Sequence, residues 1–127
     1  MTTSKKKIII VEDENLIAEA YQSGLTNAGY DVNILYSGIG AFDEIKKDPP
    51  DLLLIDLLMP HTNGIDVIKA VKADEITKDI PIIILTNVDS IQIEMQVKSL
   101  VVNGYYIKSE HSLKEILQYV DAAINKQ

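Results

Sequence analysis

Cysteine and tryptophan are absent from the 127 residues of this chain, and phenylalanine occurs once. Without cysteine, the chain cannot form disulfides, thiolate metal sites or a cysteine nucleophile. The absence fits a reducing compartment, and the expected location is the cytoplasm. Long hydrophobic runs are also missing, since no stretch approaches the roughly 20 apolar residues that a membrane-spanning helix requires.

Positive charge is scarce as well. The 12 basic residues stand against 19 acidic ones, and the formal net charge is −7. This balance argues against direct binding of nucleic acid, because a protein neutralises phosphates with a basic face. Lys5–Lys7 and the apolar run Ile8–Val11 superficially resemble the start of a signal peptide, but that run is too short and ends in acids. No membrane association is expected.

Five short apolar runs organise the chain, and each is followed by a polar break and a helix-like period. The runs are Lys7–Val11, Tyr30–Leu35, Leu52–Ile55, Ile80–Leu85 and Gly104–Ile107. Continuous apolar runs of this length are typical of strands buried on both faces, as in a parallel sheet covered by helices. The second run alternates more than the others and is expected at an edge of the sheet.

Helical periodicity fills the intervals between the runs. The predicted helices are Asn15–Ala28, Ala41–Lys47, Ile65–Lys72, Asp89–Val102 and Ser112–Ile124. In the first helix, Leu16, Ala20 and Leu25 are predicted to share one apolar face. Gly29 follows this helix and is expected to cap its C-terminus.

Two of the helices carry a start signal. Asp89 with Gln92 resembles a capping box, and Ser112 with Glu115 forms a cleaner one. Strand and helix thus alternate five times with no long linker and no break in composition. This order predicts one doubly wound α/β domain over residues 1–127, with right-handed crossovers and no second domain.

Polar side chains follow the apolar runs at the points where strands should end. They are Glu12 and Asp13 after the first run, Asp56 after the third, Thr86 and Asn87 after the fourth, and Lys108 after the fifth. The carboxyl ends of parallel strands lie at one edge of a sheet, where ligands bind. We therefore expect three carboxylates, a hydroxyl and an ammonium to share one crevice.

Such a set of side chains is suited to phosphoryl transfer. Carboxylates held together repel one another, and a hard cation with oxygen ligands, such as Mg²⁺, relieves the repulsion. Lys108 and Thr86 can bind phosphoryl oxygens, which leaves Asp56 as a carboxylate nucleophile that forms an aspartyl phosphate. Taken singly, each residue also has a structural explanation: the acids can cap a helix, Asp56 can end a strand, Lys108 can be a surface charge and Thr86 a turn residue.

In their order and spacing, these motifs resemble the receiver domain of bacterial-type two-component response regulators, from Lys7 to about Ile124. The matching segments are Ile-Val-Glu12-Asp13-Glu-Asn, Leu-Ile-Asp56-Leu-Leu-Met59-Pro60, Asn63-Gly64, Leu85-Thr86-Asn87 and Gly104-Tyr105-Tyr106-Ile107-Lys108. Each segment alone is a weak signal, whereas the ordered set is strong. The resemblance implies a flavodoxin-like fold: a doubly wound five-stranded parallel sheet in the order 2-1-3-4-5 with five helices.

The resemblance also implies a role for each site residue. Asp56 is the implied phosphoacceptor; the implied Mg²⁺ site comprises Glu12, Asp13, Asp56 and the backbone carbonyl of Leu58; Thr86 and Lys108 hold phosphoryl oxygens; and Thr86 and Tyr105 are switch residues. Asp13 is favoured as a direct metal ligand, and Glu12 as a ligand through a water.

The implied partners follow from the same resemblance. The donor is a histidine kinase or a histidine phosphotransfer protein, and the domain assists its own phosphorylation and dephosphorylation without being an enzyme for other substrates. Signalling to an unidentified protein target is expected through the fourth helix, the fifth strand and the fifth helix. A homodimer formed on phosphorylation is a further candidate, and no output domain is expected in this chain.

Two positions depart from the family pattern. Ser109 follows Lys108 where the family usually has proline, often with a cis peptide bond, so the geometry of the loop into the last helix is open. Asn87 stands where the family favours a small residue. Leu58 adds a hypothesis, namely that its bulk slows hydrolysis of the acyl phosphate.

Other functions remain to be weighed. A small metal-dependent phosphatase would use the same nucleophile, but the sequence offers no acid/base residue beside it and no substrate cap. A non-phosphorylated interaction module with the same fold is another alternative. The presence of all the polar residues expected at the site argues against it. A flavin-binding protein of this topology needs a phosphate-cradling loop after the first strand, and none follows it here.

Overall fold

The computed structural model describes residues 5–87 and 90–125, which form a five-stranded parallel sheet flanked by helices. The strands are β1 (Lys7–Val11), β2 (Asp31–Leu35), β3 (Leu52–Ile55), β4 (Ile82–Thr86) and β5 (Gly104–Ile107). Their order in the sheet is β2-β1-β3-β4-β5, and all neighbouring strands are parallel. The predicted flavodoxin-like fold is confirmed, with β2 at an edge as expected.

Helices cover both faces of the sheet. They are α1 (Asn15–Asn27), α2 (Ala41–Lys47), α3 (Gly64–Ala73), α4 (Ile91–Leu100) and α5 (Leu113–Asn125). The side chains of α1 and α5 pack on one face, and those of α2, α3 and α4 pack on the other. Successive strand residues point to opposite faces of the sheet. Ile9 therefore packs on the side of α2, α3 and α4, whereas Ile8 and Ile10 pack on the side of α1 and α5. None of the described helices has the length and apolar character needed to span a membrane.

The apolar face predicted for α1 is wrong at its start. Leu16 is 84% exposed and Ala20 is also exposed, whereas Ala18, Tyr21 and Leu25 are buried. A helix has 3.6 residues per turn, so Leu16 and Leu25, nine residues apart, lie on opposite sides. The buried face follows the spacing of Ala18, Tyr21 and Leu25 instead.

The C-terminus of α1 ends as predicted. Gly29 has a φ of +103°, a left-handed conformation that glycine adopts without a steric penalty. The backbone N–H of Tyr30 donates to the carbonyl of Leu25 at 3.1 Å, and that of Gly29 donates to Thr26 at 3.0 Å. These two bonds form a Schellman motif, which satisfies carbonyls left open at the helix end.

The start of α4 differs from the prediction. Asp89 lies outside the described residues, and the N-cap of α4 is Ser90, whose side chain accepts a hydrogen bond from the N–H of Ile93 at 3.3 Å. The helix ends at Leu100, not at Val102. For α5 the predicted capping box is confirmed, with reciprocal bonds of 2.8 and 3.1 Å between Ser112 and Glu115.

Two further features were not predicted. Between β3 and α3, Leu58–Met59 pairs antiparallel with Thr62–Asn63 in a short hairpin. The low burial of β5 was not expected from its apolar run: the strand takes the edge position that the predicted strand order implies, and its four residues are each only partly buried. An edge position leaves one side of β5 without a neighbouring strand, which explains the lower burial.

Candidate functional site

The carboxyl ends of β1 and β3 meet at one edge of the sheet. Val11 stands level with Ile55 in the register of the two strands. Beyond this pair, the N–H of Asp56 donates to the carbonyl of Val11 at 3.0 Å, and the N–H of Glu12 donates to Leu35 at 3.0 Å. The ladder of backbone hydrogen bonds therefore continues into the first polar residue of each strand end and holds the two backbones rigidly.

Three carboxylates converge on this edge. Glu12, Asp13 and Asp56 each place a carboxylate oxygen within 4.8 Å of the others. Glu12 is 2% exposed and Asp56 is 6% exposed, whereas Asp13 is half-buried. Buried carboxylates repel one another in a medium of low dielectric constant, so the cluster requires compensating positive charge.

Lys108 supplies part of that charge. Its Nζ donates to an Asp56 carboxylate oxygen at 2.9 Å and also to the Glu12 carboxylate. All three side chains are nearly inaccessible to water, at 7% or less. Three carboxylates and one ammonium leave a formal charge of −2 in the pocket, which a divalent cation would neutralise.

Burial and pairing act in opposite directions on the pKa values in the pocket. Burial raises the pKa of Glu12, and the hydrogen bond from Lys108 only partly opposes the rise. Burial alone would lower the pKa of Lys108, but the bonds to Glu12 and Asp56 outweigh it and raise this pKa. Lys108 therefore stays firmly protonated between the carboxylates.

The other predicted residues lie along the same edge. Thr86 is fully buried at the end of β4 and stands level with Ile107, the residue before Lys108. Asn87 is exposed. Tyr105 is half-buried and packs against the core on the side of α2, α3 and α4, while Tyr106 packs on the opposite side, because neighbouring strand residues point to opposite faces.

The segment after Asp56 is held by local contacts. The N–H of Leu58 donates to the Asp56 carboxylate at 3.2 Å, and the Leu58 side chain is 63% exposed. Asn63 caps α3 by accepting a hydrogen bond from the N–H of Ile65 at 2.9 Å. At Gly64 an added Cβ would lie 2.8 Å from the Cα of Leu57, so only glycine permits this close approach of α3 to the site.

Ser109 does not introduce a cis bond: the described peptide bonds are all trans. Lys108–Glu110 forms a single 3-10 turn before α5. The two histidines differ in their surroundings. His61 is exposed at the tip of the hairpin, whereas His111 is half-buried and bonds to Tyr119.

Tyr21 is a buried residue of α1 close to the charged cluster, and the sequence interpretation missed it. Burial raises the pKa of its phenol, the Lys108 ammonium opposes the rise, and the Glu12 carboxylate adds to it. The side chain therefore lies within electrostatic reach of the charged cluster. A correct assignment of the buried face of α1 from its helical spacing could have identified Tyr21 as a buried residue.

The fold and this site define the class of protein. A family model described as the response regulator receiver domain matches residues 8–121. The chain belongs to this family, the receiver domains of two-component response regulators. Members of the family are in general signalling domains and not enzymes.

Particular relatives are similar over most of this chain. The DNA-binding response regulator MtrA of Mycobacterium tuberculosis (strain H37Rv) is 30% identical over 127 residues, which cover 99% of this chain and 54% of MtrA. The chain thus spans about half the length of that relative. A putative response regulator from Chloroflexus aurantiacus has a similar structure, with a TM-score of 0.85 at 30% identity over 96% of this chain and 99% of that one. The chemotaxis response regulator CheY4 of Vibrio cholerae gives 0.85 at 25% identity, over 94% and 99% of the two chains.

Proposed function

We propose that this chain is a phosphoryl-accepting switch of a two-component phosphorelay, with Asp56 as the phosphoacceptor. The observation that carries the proposal is the buried pocket in which Asp56 shares the ammonium of Lys108 with Glu12, beside Asp13. A carboxylate in contact with a fixed cation at the open end of a parallel sheet is placed to attack an incoming phosphoryl group.

The transfer follows from the positions of these groups. An Asp56 oxygen forms a bond to phosphorus while the bond between phosphorus and the donor atom breaks, and the donor keeps that electron pair. Lys108 turns from Glu12 toward a phosphoryl oxygen, and the hydroxyl of Thr86 donates to another. Positioning and charge neutralisation are the main requirements of phosphoryl transfer, and this chain's residues offer both.

The donor set of the pocket fits Mg²⁺. Oxygen ligands from carboxylates suit this ion, and oxygens of Glu12, Asp13 and Asp56 lie close enough to serve one cation. The backbone carbonyl of Leu58 is the further proposed ligand. When bound, Mg²⁺ supplies the charge that balances the carboxylates and the phosphoryl oxygens.

The proposed donor is a histidine kinase or a histidine phosphotransfer protein. Thr86 and Tyr105 are the proposed switch residues. The proposed output surface consists of α4, β5 and α5, and its proposed partner is a protein target or a second copy of the chain. Phosphorylation shifts a population only if the partner binds the two states with different affinities.

The test is incubation with Mg²⁺ and acetyl phosphate followed by intact mass measurement. We expect one phosphoryl adduct on the wild-type chain and none on Asp56→Ala. Asp51→Ala, at an exposed acid five residues earlier, is the matched control and should keep the adduct. A wild-type chain without an adduct, or an adduct that persists in Asp56→Ala, would exclude the proposed chemistry. Steady turnover of a phosphomonoester in the same buffer would favour a phosphatase instead.

A further inference from the structure

The loop between β5 and α5 carries Lys108, and it is closed by an aromatic cluster of Tyr106, His111 and Tyr119. Tyr106 belongs to β5, His111 follows the 3-10 turn, and Tyr119 lies on α5. The three side chains thus join the strand before Lys108, the loop after it and the helix that follows.

The contacts within the cluster are specific in geometry. The rings of Tyr106 and Tyr119 are stacked, with centroids 4.3 Å apart and planes 14° apart. The imidazole of His111 stands edge-on to both, at 5.2 Å from Tyr106 and 5.4 Å from Tyr119. Its Nδ1 is also 3.2 Å from the hydroxyl of Tyr119. Aromatic pairs in stacked or edge-on geometry contribute an attractive energy in addition to that from burial of their surface.

Apart from the ion pairs of Lys108 and the capping box at Ser112, the loop has few restraints. The backbone N–H of His111 reaches the carbonyl of Lys108 at only 3.5 Å, and Ser109 and Glu110 are exposed. β5 is an edge strand, so it has a neighbouring strand on one side only. A weakly restrained loop can change its conformation at little cost in free energy unless side-chain contacts hold it in place.

Lys108 depends on the position of this loop. Its ammonium must reach two carboxylates that directly follow β1 and β3, on the far side of β4. Tyr106 is two residues before Lys108, and His111 is three residues after it. Fixing both flanking residues on Tyr119 restricts the backbone from which the lysine side chain extends.

We infer that the cluster of Tyr106, His111 and Tyr119 positions Lys108 for the phosphoryl group, and that His111 is a positioning residue for phosphoryl transfer. This inference rests on the proposed function, since it concerns the lysine that binds the transferred group. His111 touches no reacting atom and acts only through the loop.

The experiment measures the rate at which acetyl phosphate and Mg²⁺ phosphorylate the whole chain, by intact mass. Loss of one hydrogen bond and its packing in His111→Ala should slow the rate about three- to tenfold. Tyr119→Phe keeps the stacked ring and removes only the hydroxyl, so it should slow the rate less and fold normally. His111→Asn retains a polar atom at the place of Nδ1 and should restore part of the rate. Gln118→Ala, an exposed neighbour of Tyr119 on α5, is the control and should match the wild type.

A double-mutant cycle separates positioning from a general structural role. If His111 acts through Lys108, His111→Ala should have no further effect in a Lys108→Ala background.

The outcomes separate the two proposals. Wild-type rates in both His111→Ala and Tyr119→Phe would overturn the inference while the adduct on wild-type protein upholds the proposed function. An equal slowing in the Lys108→Ala background would overturn it as well. A wild-type chain that takes no phosphoryl group would remove the proposed function, and the inference with it.

Discussion

Leu58 leaves 63% of its surface exposed although it lies two residues from Asp56, a buried carboxylate. Its N–H bonds to that carboxylate, so the side chain stays close to the proposed phosphoryl group. An apolar side chain cannot orient an attacking water, whereas a side-chain amide can. We predict that Leu58→Asn shortens the lifetime of the aspartyl phosphate several-fold, measured by intact mass after removal of the donor. Leu16→Asn, at an exposed leucine on α1, should leave the lifetime unchanged, and an unchanged lifetime in Leu58→Asn would discard the idea.

Val101 holds a strained backbone at the end of α4. Its φ of +55° is in the left-handed region, which a β-branched residue rarely adopts. Its side chain is 75% exposed, and its carbonyl accepts a hydrogen bond from Lys72 at 2.7 Å. Removing the side chain of Val101 would lose little buried surface, and it would relieve the steric penalty of the left-handed backbone.

Val101→Gly should therefore raise the free energy of unfolding by up to about 1 kcal/mol, the left-handed penalty less the entropy of glycine. Urea denaturation measures it. Val101→Ala keeps a Cβ and should gain less. A Val101→Gly chain less stable than the wild type would show that the valine side chain contributes contacts that outweigh the strain.

At the scale of elements, helix caps are local and therefore testable one at a time. The reciprocal bonds of Ser112 and Glu115 satisfy donors at the start of α5. The backbone and side-chain bonds to Ser112 lower the pKa of Glu115. We predict that Ser112→Ala costs about 1 kcal/mol of stability, measured by urea denaturation. Ser23→Ala, at an exposed position within α1, is the control and should change stability little. Equal effects of both substitutions would show that the cap contributes nothing.

Elements with strong local signals could be predicted from the sequence. All five apolar runs became strands in the predicted order, although the fifth is less buried than its run indicated, and the box at Ser112 opened α5 as expected. The segments that were missed depend on tertiary contacts. The hairpin after Asp56 forms beside Gly38, where an added Cβ would collide with Thr62, and a pattern of apolar residues carries no record of that contact.

The candidate site could be predicted as a set because parallel strands align their ends. The meeting of Glu12, Asp13 and Asp56 needed only the topology. The sharing of Lys108 between two carboxylates needed the side-chain geometry, and so did the place of Tyr21. The aromatic surroundings of His111 were not predicted, because its partners come from a strand and a helix on either side of the loop.

At the scale of the whole molecule, Tyr30 and Asp121 tie the start of β2 to α5. The Tyr30 hydroxyl donates to the Asp121 carboxylate, which also accepts from Asn125 at 3.2 Å. Burial, together with this bond, raises the pKa of Tyr30 to about 12, from an ordinary value of 10.0. A raised pKa means that folding favours the neutral phenol. The contribution to stability is therefore complete below about pH 10 and is lost as pH rises toward 12.

The unfolding free energy of the wild type should thus fall between pH 10 and 12 by about 1 kcal/mol more than that of Tyr30→Phe, after allowance for solvent screening. Urea denaturation at a series of alkaline pH values measures the difference. Tyr36→Phe, at an exposed tyrosine outside the core, is the control for removal of a tyrosine hydroxyl. Parallel curves for the wild type and Tyr30→Phe would show that the bond to Asp121 does not couple folding to ionisation.

The lysine shared between Glu12 and Asp56 has a consequence for variants of the proposed phosphoacceptor. An amide at position 56 keeps the shape of the side chain but removes one of the two anions that hold the buried ammonium. The local charge then changes from −2 to −1, and Lys108 is left to pair with Glu12 alone. Asp56→Asn is thus an altered resting state with its own ionic arrangement, and its surface need not match that of the unphosphorylated native chain.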